Sequence, residues 1–155
     1  MEPLLWLASG FGLGLSPWAS GTLGSLLGLP LAWWLLRRRR RIQVVITALL
    51  LVAAVPVCHL AEVALGGKDD GRIVLDEIVA FPMAVLGQSA ARHPAVMAGA
   101  FVLYRVFDAT KPPPAAQVEG VAGGLGIVLD DTVAAAMTWL VVAGGLVLWR
   151  RRQLS

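Results

Sequence analysis

The chain has 155 residues, of which 57% are hydrophobic and 15% charged, with a formal net charge of +3. The hydrophobic share exceeds the roughly 45–50% of soluble domains, which argues against an ordinary soluble protein and predicts a membrane-embedded or membrane-associated bundle. The single cysteine, Cys58, excludes an internal disulfide and a cysteine-based metal site. The length predicts one domain over residues 1–155.

Glycine, proline and charged clusters divide the chain into apolar segments of helical length. The segment 42–65 is the best candidate for a membrane span, because its 24 residues exceed the roughly 20 that a bilayer core requires. No period-two alternation persists, so we predict an all-α fold of about five or six helices. In chain order, the five main predicted helices are 23–36, 42–65, 73–87 with a kink at Pro82, 95–107 and about 130–149. Two weaker helical segments lie within 4–14 and from near Gln117 to GGLG (123–126), where the helix falters.

The charged residues are segregated along the chain. Eight of the thirteen lysines and arginines lie in two blocks, Arg37 to Arg41 and Arg150 to Arg152. Short connections make successive helices antiparallel, so counting helix ends from the first block places SGTLGS (20–25) and Lys111 at the opposite end, together with most carboxylates. We interpret this as one acidic site. The acidic residues that meet there are Glu62, Asp69, Asp70, Asp76, Glu77, Asp108, Asp130 and Asp131.

This acidic end has the composition of a site for a cation and a phosphate. Clustered carboxylates repel one another unless a cation neutralises them, and an oxygen-rich, thiol-free set suits Mg²⁺. Arg105 and Lys111 lie three residues before and after Asp108, which favours an anionic phosphate beside the cation. Thr22 and Ser25 lie at a predicted helix start, where free N–H groups also favour anions.

Four segments then resemble, in order, the conserved blocks of the phosphatidylglycerophosphatase A family. The resemblance covers residues 10–137 and implies an all-helical, Mg²⁺-dependent lipid phosphatase of the bacterial inner membrane. Such an enzyme hydrolyses the terminal phosphomonoester of phosphatidylglycerophosphate to phosphatidylglycerol and phosphate, in phospholipid biosynthesis. The matching segments are LSPWASGTLGSLLGLPL (15–31), KDDGRIVLDEIVA (68–80), YRVFDATKPPPA (104–115) and GGLGIVLDDTVAA (123–135).

Site residues follow from the resemblance and from the chemistry of the side chains together. The resemblance places Asp69, Asp76, Glu77, Asp108, Lys111, Asp130 and Asp131 at the family's conserved polar positions, with Glu62 as a weaker match. As metal ligands we expect Asp76, Glu77, Asp130, Asp131 and Glu62. As catalytic residues we expect Asp69, Asp76, Asp108 and Lys111. As ligands of the substrate phosphate we expect Thr22, Ser25, Arg105 and Lys111.

Several interpretations of these residues stay open. The attacking group is either a metal-activated water or a carboxylate that forms an aspartyl-phosphate, with Asp69 or Asp108 as the nucleophile. Asp130 and Asp131 either share one metal near an irregular helix start beside GGLG, or Asp130 is merely a helix N-cap. Arg105 and Asp108 also have the spacing of a simple helical ion pair, and Asp70 has the character of a turn residue.

A different class of function fits part of the pattern. A non-enzymatic carrier of metal ions or protons would also have intramembrane carboxylates, but it has no need of Lys111, Arg105 or SGTLGS at the same end. We expect a membrane and a phospholipid as partners, no nucleic acid, and an active site that faces the cytoplasm. The positive-inside rule places the arginine blocks in the cytoplasm. If every helix spans, the acidic site lies on the other side of the membrane. Either some helices, such as 23–36, do not span fully, or the assignment of the helix ends is wrong.

Overall fold

The computed structural model describes residues 2–67, 70–118 and 120–153, and all regular structure in these ranges is helical. The predicted all-α class is confirmed, and two 3₁₀ turns, Leu13–Leu15 and Ser89–Arg92, join the α-helices. More helices form than the five or six predicted, because three are short. The α-helices are α1 (Pro3–Ala8), α2 (Ser20–Ser25), α3 (Gly28–Leu36), α4 (Arg40–Leu65), α5 (Leu75–Ala84), α6 (Pro94–Thr110), α7 (Ala115–Val118) and α8 (Gly123–Gln153).

The ends of the longer helices follow local sequence signals. Gly66 ends α4 in the left-handed conformation, with φ +71°, as predicted for glycine at a helix C-terminus. Pro94 begins α6, and the preceding His93 caps it by accepting a hydrogen bond from the amide of Ala95 through Nδ1. Lys111 ends α6 with φ +42°, and the triproline that follows cannot continue a helix.

The last helix begins at Gly123, seven residues before the predicted start at Asp130. GGLG was expected to interrupt the helix, and this expectation is wrong. These glycines allow close packing of α8 on α4, since a Cβ on Gly124 would lie only 2.2 Å from the carbonyl oxygen of Val55. Asp130 and Asp131 consequently lie two turns inside a regular helix, and Asp130 is not the N-cap.

The predicted helix over 23–36 is a bent helical segment that begins earlier. It starts at Ser20 and is divided at Leu26 and Leu27, which keep right-handed helical backbone angles between α2 and α3. Glycine lowers helix propensity here, and Gly24 packs so tightly that its Cβ would lie 2.4 Å from Cβ of Val74. The bend therefore seats α2 directly against the chain that leads into α5.

Helix α5 is the centre of the bundle and packs against α3, α4 and α8. One core cluster surrounds Phe81, whose ring meets Phe101 and Tyr104 with centroids 5.6 Å away in each case. A second cluster surrounds Cys58 and Val79 and reaches α1 and α8. Many fully buried side chains are alanines, which lets the helices approach closely. Removing this apolar surface from water stabilises the bundle by roughly 25 cal/mol per Å².

The two ends of the bundle carry opposite charges, as the loop lengths predicted. At the basic end, the Arg92 guanidinium donates to the carbonyl of Leu36, and the amide of Gly87 donates to Gln43 Oε1 at 2.8 Å. At the acidic end, Ser20 Oγ donates to the carbonyl of Gly71 at 2.8 Å. The carboxylates at the start of α5 and the arginines after α3 are thus at opposite ends.

Helices α4 and α8 are long and apolar enough to cross a membrane by length and composition, and together they support membrane association. Only 22% and 17% of their most apolar windows are buried in the bundle, unlike the core helix of a soluble protein. On α4, Leu49 and Val52 expose 64% and 70% of their surface. The bent segment 20–36 is shorter, as expected for a part that does not span fully.

Two glycines of α8 give a matched test of the packing. We expect Gly124→Ala to lower the free energy of unfolding by about 1–3 kcal/mol, since the new methyl group overpacks the contact with α4. Gly145→Ala should raise it by up to about 1 kcal/mol, because nothing lies within 4 Å of that site and alanine favours helix. Thermal unfolding in detergent, followed by circular dichroism, measures both; equal stability of the two variants would contradict the packing.

Candidate active site

A cavity of about 260 Å³ opens at the acidic end, between α5, α6 and α8. Its wall combines five carboxylates and one ammonium group, although most of the surrounding bundle is apolar. Gly71 and Ile73 form the edge beside the loop that precedes α5. The charged residues that line the cavity are Asp76, Glu77, Asp108, Lys111, Asp130 and Asp131.

The deepest carboxylates belong to Asp76 and Asp131, which are 5% and 4% exposed. Asp76 lies in the first turn of α5, where the helix dipole favours negative charge. The two carboxyl groups line the same cavity, and the Tyr104 hydroxyl donates to Asp131 Oδ1 at 3.1 Å. Two buried carboxyl groups in one cavity cannot both be ionised without a cation near them. The floor of the cavity is therefore a place where positive charge is needed.

Residues of α2 and α6 that do not line the cavity hold the Glu77 carboxylate in place. Arg105 Nη1 lies 2.9 Å from Glu77 Oε2 and 2.6 Å from Asp108 Oδ2, and it also donates to Ser25 Oγ at 3.2 Å. Ser25 Oγ in turn contacts Glu77 Oε2. A Cβ on Gly21 would lie 2.7 Å from Glu77 Oε1 and 2.9 Å from Arg105 Nη2, so a larger residue there would shift this ion pair. Segment SGTLGS thus supports the Glu77 carboxylate.

Positive charge from the protein only partly compensates Glu77. Burial and then the negative charge of Asp76 raise the pKa of the Glu77 carboxyl to about 8, although the Arg105 charge and the Ser25 hydrogen bond act in the opposite direction. Burial, followed by the charge of Asp131, also raises the pKa of Tyr104, so its phenol stays protonated and donates. An additional cation in the cavity would keep Glu77 ionised at neutral pH.

Lys111 reaches the cavity because α6 ends at that residue in the left-handed conformation. Its Nζ lies 2.6 Å from Asp130 Oδ2. Neighbouring residues of a regular helix point about 100° apart, which explains why Asp130 meets Lys111 while Asp131 meets Tyr104. The two adjacent aspartates of α8 therefore line one cavity from different directions and do not need the irregular helix start that the sequence suggested.

Among the remaining predicted site residues, those that the structure describes do not line the cavity. Asp69 is outside the described residues, so its assignment stays a prediction. Asp70 forms a two-pronged ion pair with Arg72, 2.8 and 2.7 Å long, and these hydrogen bonds hold the pKa of Asp70 below its ordinary value. Glu62 lies 3.9 Å from His59 Nδ1, on α4. The residues that line the cavity do not include Thr22, Ser25, Glu62, Asp70 or Arg105.

Tyr104 is the site residue that sequence reasoning missed. It is fully buried and directly contacts a cavity carboxylate. A signal was available, because it is the only tyrosine of the chain and precedes Asp108 by four residues, which places both on one face of a helix. An isolated phenol in an apolar helix needs a hydrogen-bond partner when it is buried.

The cavity offers oxygen donors for a hard cation. In their present positions, however, the described Asp, Glu, His and Cys side chains include no group of three that could hold a metal ion. Part of the explanation is that Lys111 and Arg105 draw Asp130, Glu77 and Asp108 to themselves. The composition of the donor set fits Mg²⁺, and binding would require these side chains to reorient.

Fold and cavity together define a helical, membrane-associated protein with one charged site in an apolar bundle. The sequence model of the family "Phosphatidylglycerophosphatase A" matches residues 6–146, and the chain belongs to that family of phosphatases. It is therefore an enzyme, a phosphoric monoester hydrolase, and the resemblance predicted from the four sequence blocks is confirmed.

Relatives agree with this assignment over most of their lengths. A phosphatidylglycerophosphatase A of Escherichia coli (strain K12) is 34% identical over 138 residues, covering 88% of this chain and 80% of the relative. One of Haemophilus influenzae is 35% identical, covering 92% and 88%. A relative from Bacteroides thetaiotaomicron carries the provisional name phosphatidylinositol-3-phosphatase and is 31% identical, covering 88% and 89%. No solved structure matches the chain.

The hydroxyl of Tyr104 provides a test of the cavity floor. We expect Tyr104→Phe to lower the free energy of unfolding by about 1–3 kcal/mol, because a buried carboxyl oxygen of Asp131 loses its donor. Thr138→Val is a matched control: Thr138 is fully buried too, but its hydroxyl donates to Ala134 O within its own helix. Denaturant unfolding in detergent measures the free energy of unfolding of both variants. If Tyr104→Phe lowers it no more than Thr138→Val does, the hydrogen bond from Tyr104 to Asp131 makes no net contribution to stability.

Proposed function

We propose that the chain is a Mg²⁺-dependent phosphatidylglycerophosphatase, which hydrolyses the terminal phosphomonoester of phosphatidylglycerophosphate to phosphatidylglycerol and phosphate. The observation that carries the proposal is the cavity, where five carboxylates and Lys111 meet in a chain of this family. The Escherichia coli and Haemophilus influenzae relatives bear the name of this activity. A phosphomonoester carries up to two negative charges, so its cleavage depends on neutralisation and positioning.

In this proposal the deep carboxylates hold the cation. Asp76 and Asp131 are the most deeply buried carboxylates of the cavity, and Glu77 and Asp130 are further oxygen donors on its wall. A bound Mg²⁺ would neutralise phosphate charge and lower the pKa of a water. The Tyr104 phenol keeps Asp131 in position, and Arg105 with Ser25 does the same for Glu77. Arg105 thus acts as a positioning residue behind the cavity wall.

The other two cavity residues contact the reacting phosphate. Lys111 Nζ is the ammonium group on the wall, and it would exchange Asp130 for a phosphate oxygen. Asp108 lies on the wall with one carboxylate oxygen bonded to Arg105. Its second oxygen is suited to accept the proton of an attacking water, or to attack phosphorus itself as a nucleophile. Trapping a phosphorylated enzyme after an acid quench would distinguish these two routes.

A cation or proton carrier is disfavoured. Such a protein needs carboxylates along a path, but it does not need an ammonium group that competes for one of them. The Lys111–Asp130 ion pair at 2.6 Å fills that position here. Membership of a phosphatase family adds independent weight against the carrier.

We further propose a location in the bacterial inner membrane with the cavity facing the cytoplasm. Because the positive-inside rule also places Arg37 to Arg41 in the cytoplasm, this orientation requires a bundle that does not span the bilayer fully. Exposed aromatic residues surround the acidic end: Trp6 is 49% exposed, Phe11 60% and Trp18 81%. Aromatic residues of this kind are typical of the headgroup level of a bilayer. Ser20, two residues after Trp18, bonds to Gly71 at the edge of the cavity. A cavity at headgroup depth would receive a lipid phosphate without extracting the lipid.

The activity is tested by phosphate release from phosphatidylglycerophosphate in mixed micelles. We expect turnover with Mg²⁺ and its loss in excess EDTA, because the cavity carboxylates need a cation beside the substrate. Phosphatidylinositol 3-phosphate is the comparison substrate, chosen for the Bacteroides thetaiotaomicron relative. Full activity in EDTA would remove the metal from the proposal. Absence of turnover with every divalent cation, or turnover of the inositol lipid alone, would remove the proposed reaction.

Substitution of single aspartates tests the location of the site. We expect Asp76→Asn and Asp131→Asn each to lower kcat by at least ~10²-fold, because each removes a carboxylate from a preorganised charged site. Asp70→Asn is the matched control, since Asp70 bonds to Arg72 outside the cavity, and its activity should stay within about twofold. Unfolding curves establish that the variants are folded. Equal sensitivity of Asp70 and Asp76 would show that the cavity is not the active site.

A further inference from the structure

A second hollow lies between α3 and α6, at the basic end of the bundle. It is a groove of about 400 Å³ with an almost entirely apolar lining. This volume is within the range of small-ligand sites, roughly 300–1,000 Å³. The proposed phosphatase reaction uses none of its residues. The main lining residues are Leu29, Trp33, Ala91, Arg92, Pro94 and Met97.

Two arginines are fixed at this groove. Arg92 belongs to its wall, and its Nε and Nη2 atoms both donate to the carbonyl of Leu36, which holds the guanidinium against the end of α3. Arg37 lies over the ring of Trp33, another wall residue, with 5.4 Å from Cζ to the ring centroid. Arg38 stacks on Trp34 in the same way at 4.8 Å. A planar guanidinium fixed by its neighbours is well suited to bind a phosphate diester.

These arginines lack a countercharge from the described part of the chain. The ion pairs of Arg72, Arg105, Lys111 and His59 lie at the acidic end. No ion pair joins Arg37, Arg38 or Arg92 to a described carboxylate, and the five carboxylates of the cavity lie at the opposite end. Uncompensated positive charge of this density favours anions from outside the protein.

Apolar surface beside these arginines identifies the anion as a lipid. Trp33 and Trp34 are 46% and 44% exposed, and α4 continues from the arginine block with exposed Val44 and Val45. Tryptophan and arginine together are typical of the interface between headgroups and acyl chains. A nucleic acid would bind the arginines but would leave the apolar groove empty.

We propose that the groove between α3 and α6 binds an anionic phospholipid, with an acyl chain along Leu29 and Met97 and the headgroup phosphate on Arg92 and Arg37. This site is separate from the cavity that holds the reacting phosphate. The bound lipid stays intact, since no carboxylate or lysine lines the groove. The proposal stands independently of the phosphatase reaction, because it concerns different residues at the opposite end of the bundle.

Brominated phospholipids, which quench tryptophan fluorescence on contact, test this site. The full chain is placed in phosphatidylcholine vesicles that contain a variable fraction of brominated phosphatidylserine or brominated phosphatidylcholine. Phosphatidylserine is anionic but is neither substrate nor product of the proposed reaction. Subtracting the fluorescence of the Trp33→Phe variant from that of the intact chain gives the fluorescence of Trp33 alone. We expect half-quenching of that signal at an at least ~10-fold lower fraction of the serine lipid. Both headgroups offer a phosphate, but only the serine lipid keeps a net negative charge beside the arginines, whereas the choline cation cancels the phosphate charge.

Arginine variants assign the preference to the groove. Arg92→Gln and Arg37→Gln should each weaken it at least ~3-fold, whereas Arg151→Gln, near the far end of α8, should leave it unchanged. Circular dichroism establishes that each variant is folded. If Arg92→Gln does not fold, the comparison of Arg37→Gln with Arg151→Gln is the test. Equal quenching by both lipids, or a loss in Arg151→Gln as large as in Arg92→Gln, would overturn the proposal. Quenching by neither lipid together with a dimer in sedimentation would assign the groove to a second copy and likewise overturn it.

Discussion

The need to neutralise a buried pair of carboxyl groups constrains the acidic end of this molecule. Asp76 and Asp131 come from α5 and α8 and line one cavity, where they are only 5% and 4% exposed. Ionised carboxylates without a partner would cost several kcal/mol each in such surroundings. The neighbouring groups respond to this constraint: Tyr104 donates to one carboxyl group, and Arg105 and Lys111 pair with carboxylates around it.

The close approach of helices is what brings these groups together. Gly21 lets α2 touch the Glu77–Arg105 pair, and Gly124 lets α8 lie against the backbone of α4. A methyl group at Gly124 would push α8 away from the backbone of α4, and one at Gly21 would shift the Glu77 and Arg105 side chains. Small residues in this chain therefore have two consequences: they replace large apolar side chains in the packing, and they set the distances between charged groups on different helices.

Loop lengths and charge positions predicted which end of the bundle holds the site, but not which side chain meets which. The prediction worked because short connections constrain helix direction regardless of detail. The rotation of each helix about its axis depends on packing. The sequence therefore could not predict that Arg105 contacts Glu77 and Ser25 outside the cavity instead of lining it. The prediction of a break at GGLG failed for a related reason. The low helix propensity of glycine favours a break, but close packing of Gly124 on the carbonyl of Val55 stabilises a continuous helix.

Charge segregation has a physical cause that links both ends. A helical bundle with an apolar exterior leaves few places where charge is solvated, so each charge gathers where a ligand or the membrane interface can stabilise it. At the acidic end, the arginine and lysine side chains do not fully compensate the carboxylates, which is consistent with the raised pKa of Glu77. This end therefore favours a metal ion together with a phosphate. At the basic end, Arg37 and Arg92 have aromatic and carbonyl partners rather than carboxylates. Both ends therefore favour phosphate through opposite means, with the acidic end requiring a bridging cation and the basic end binding it directly.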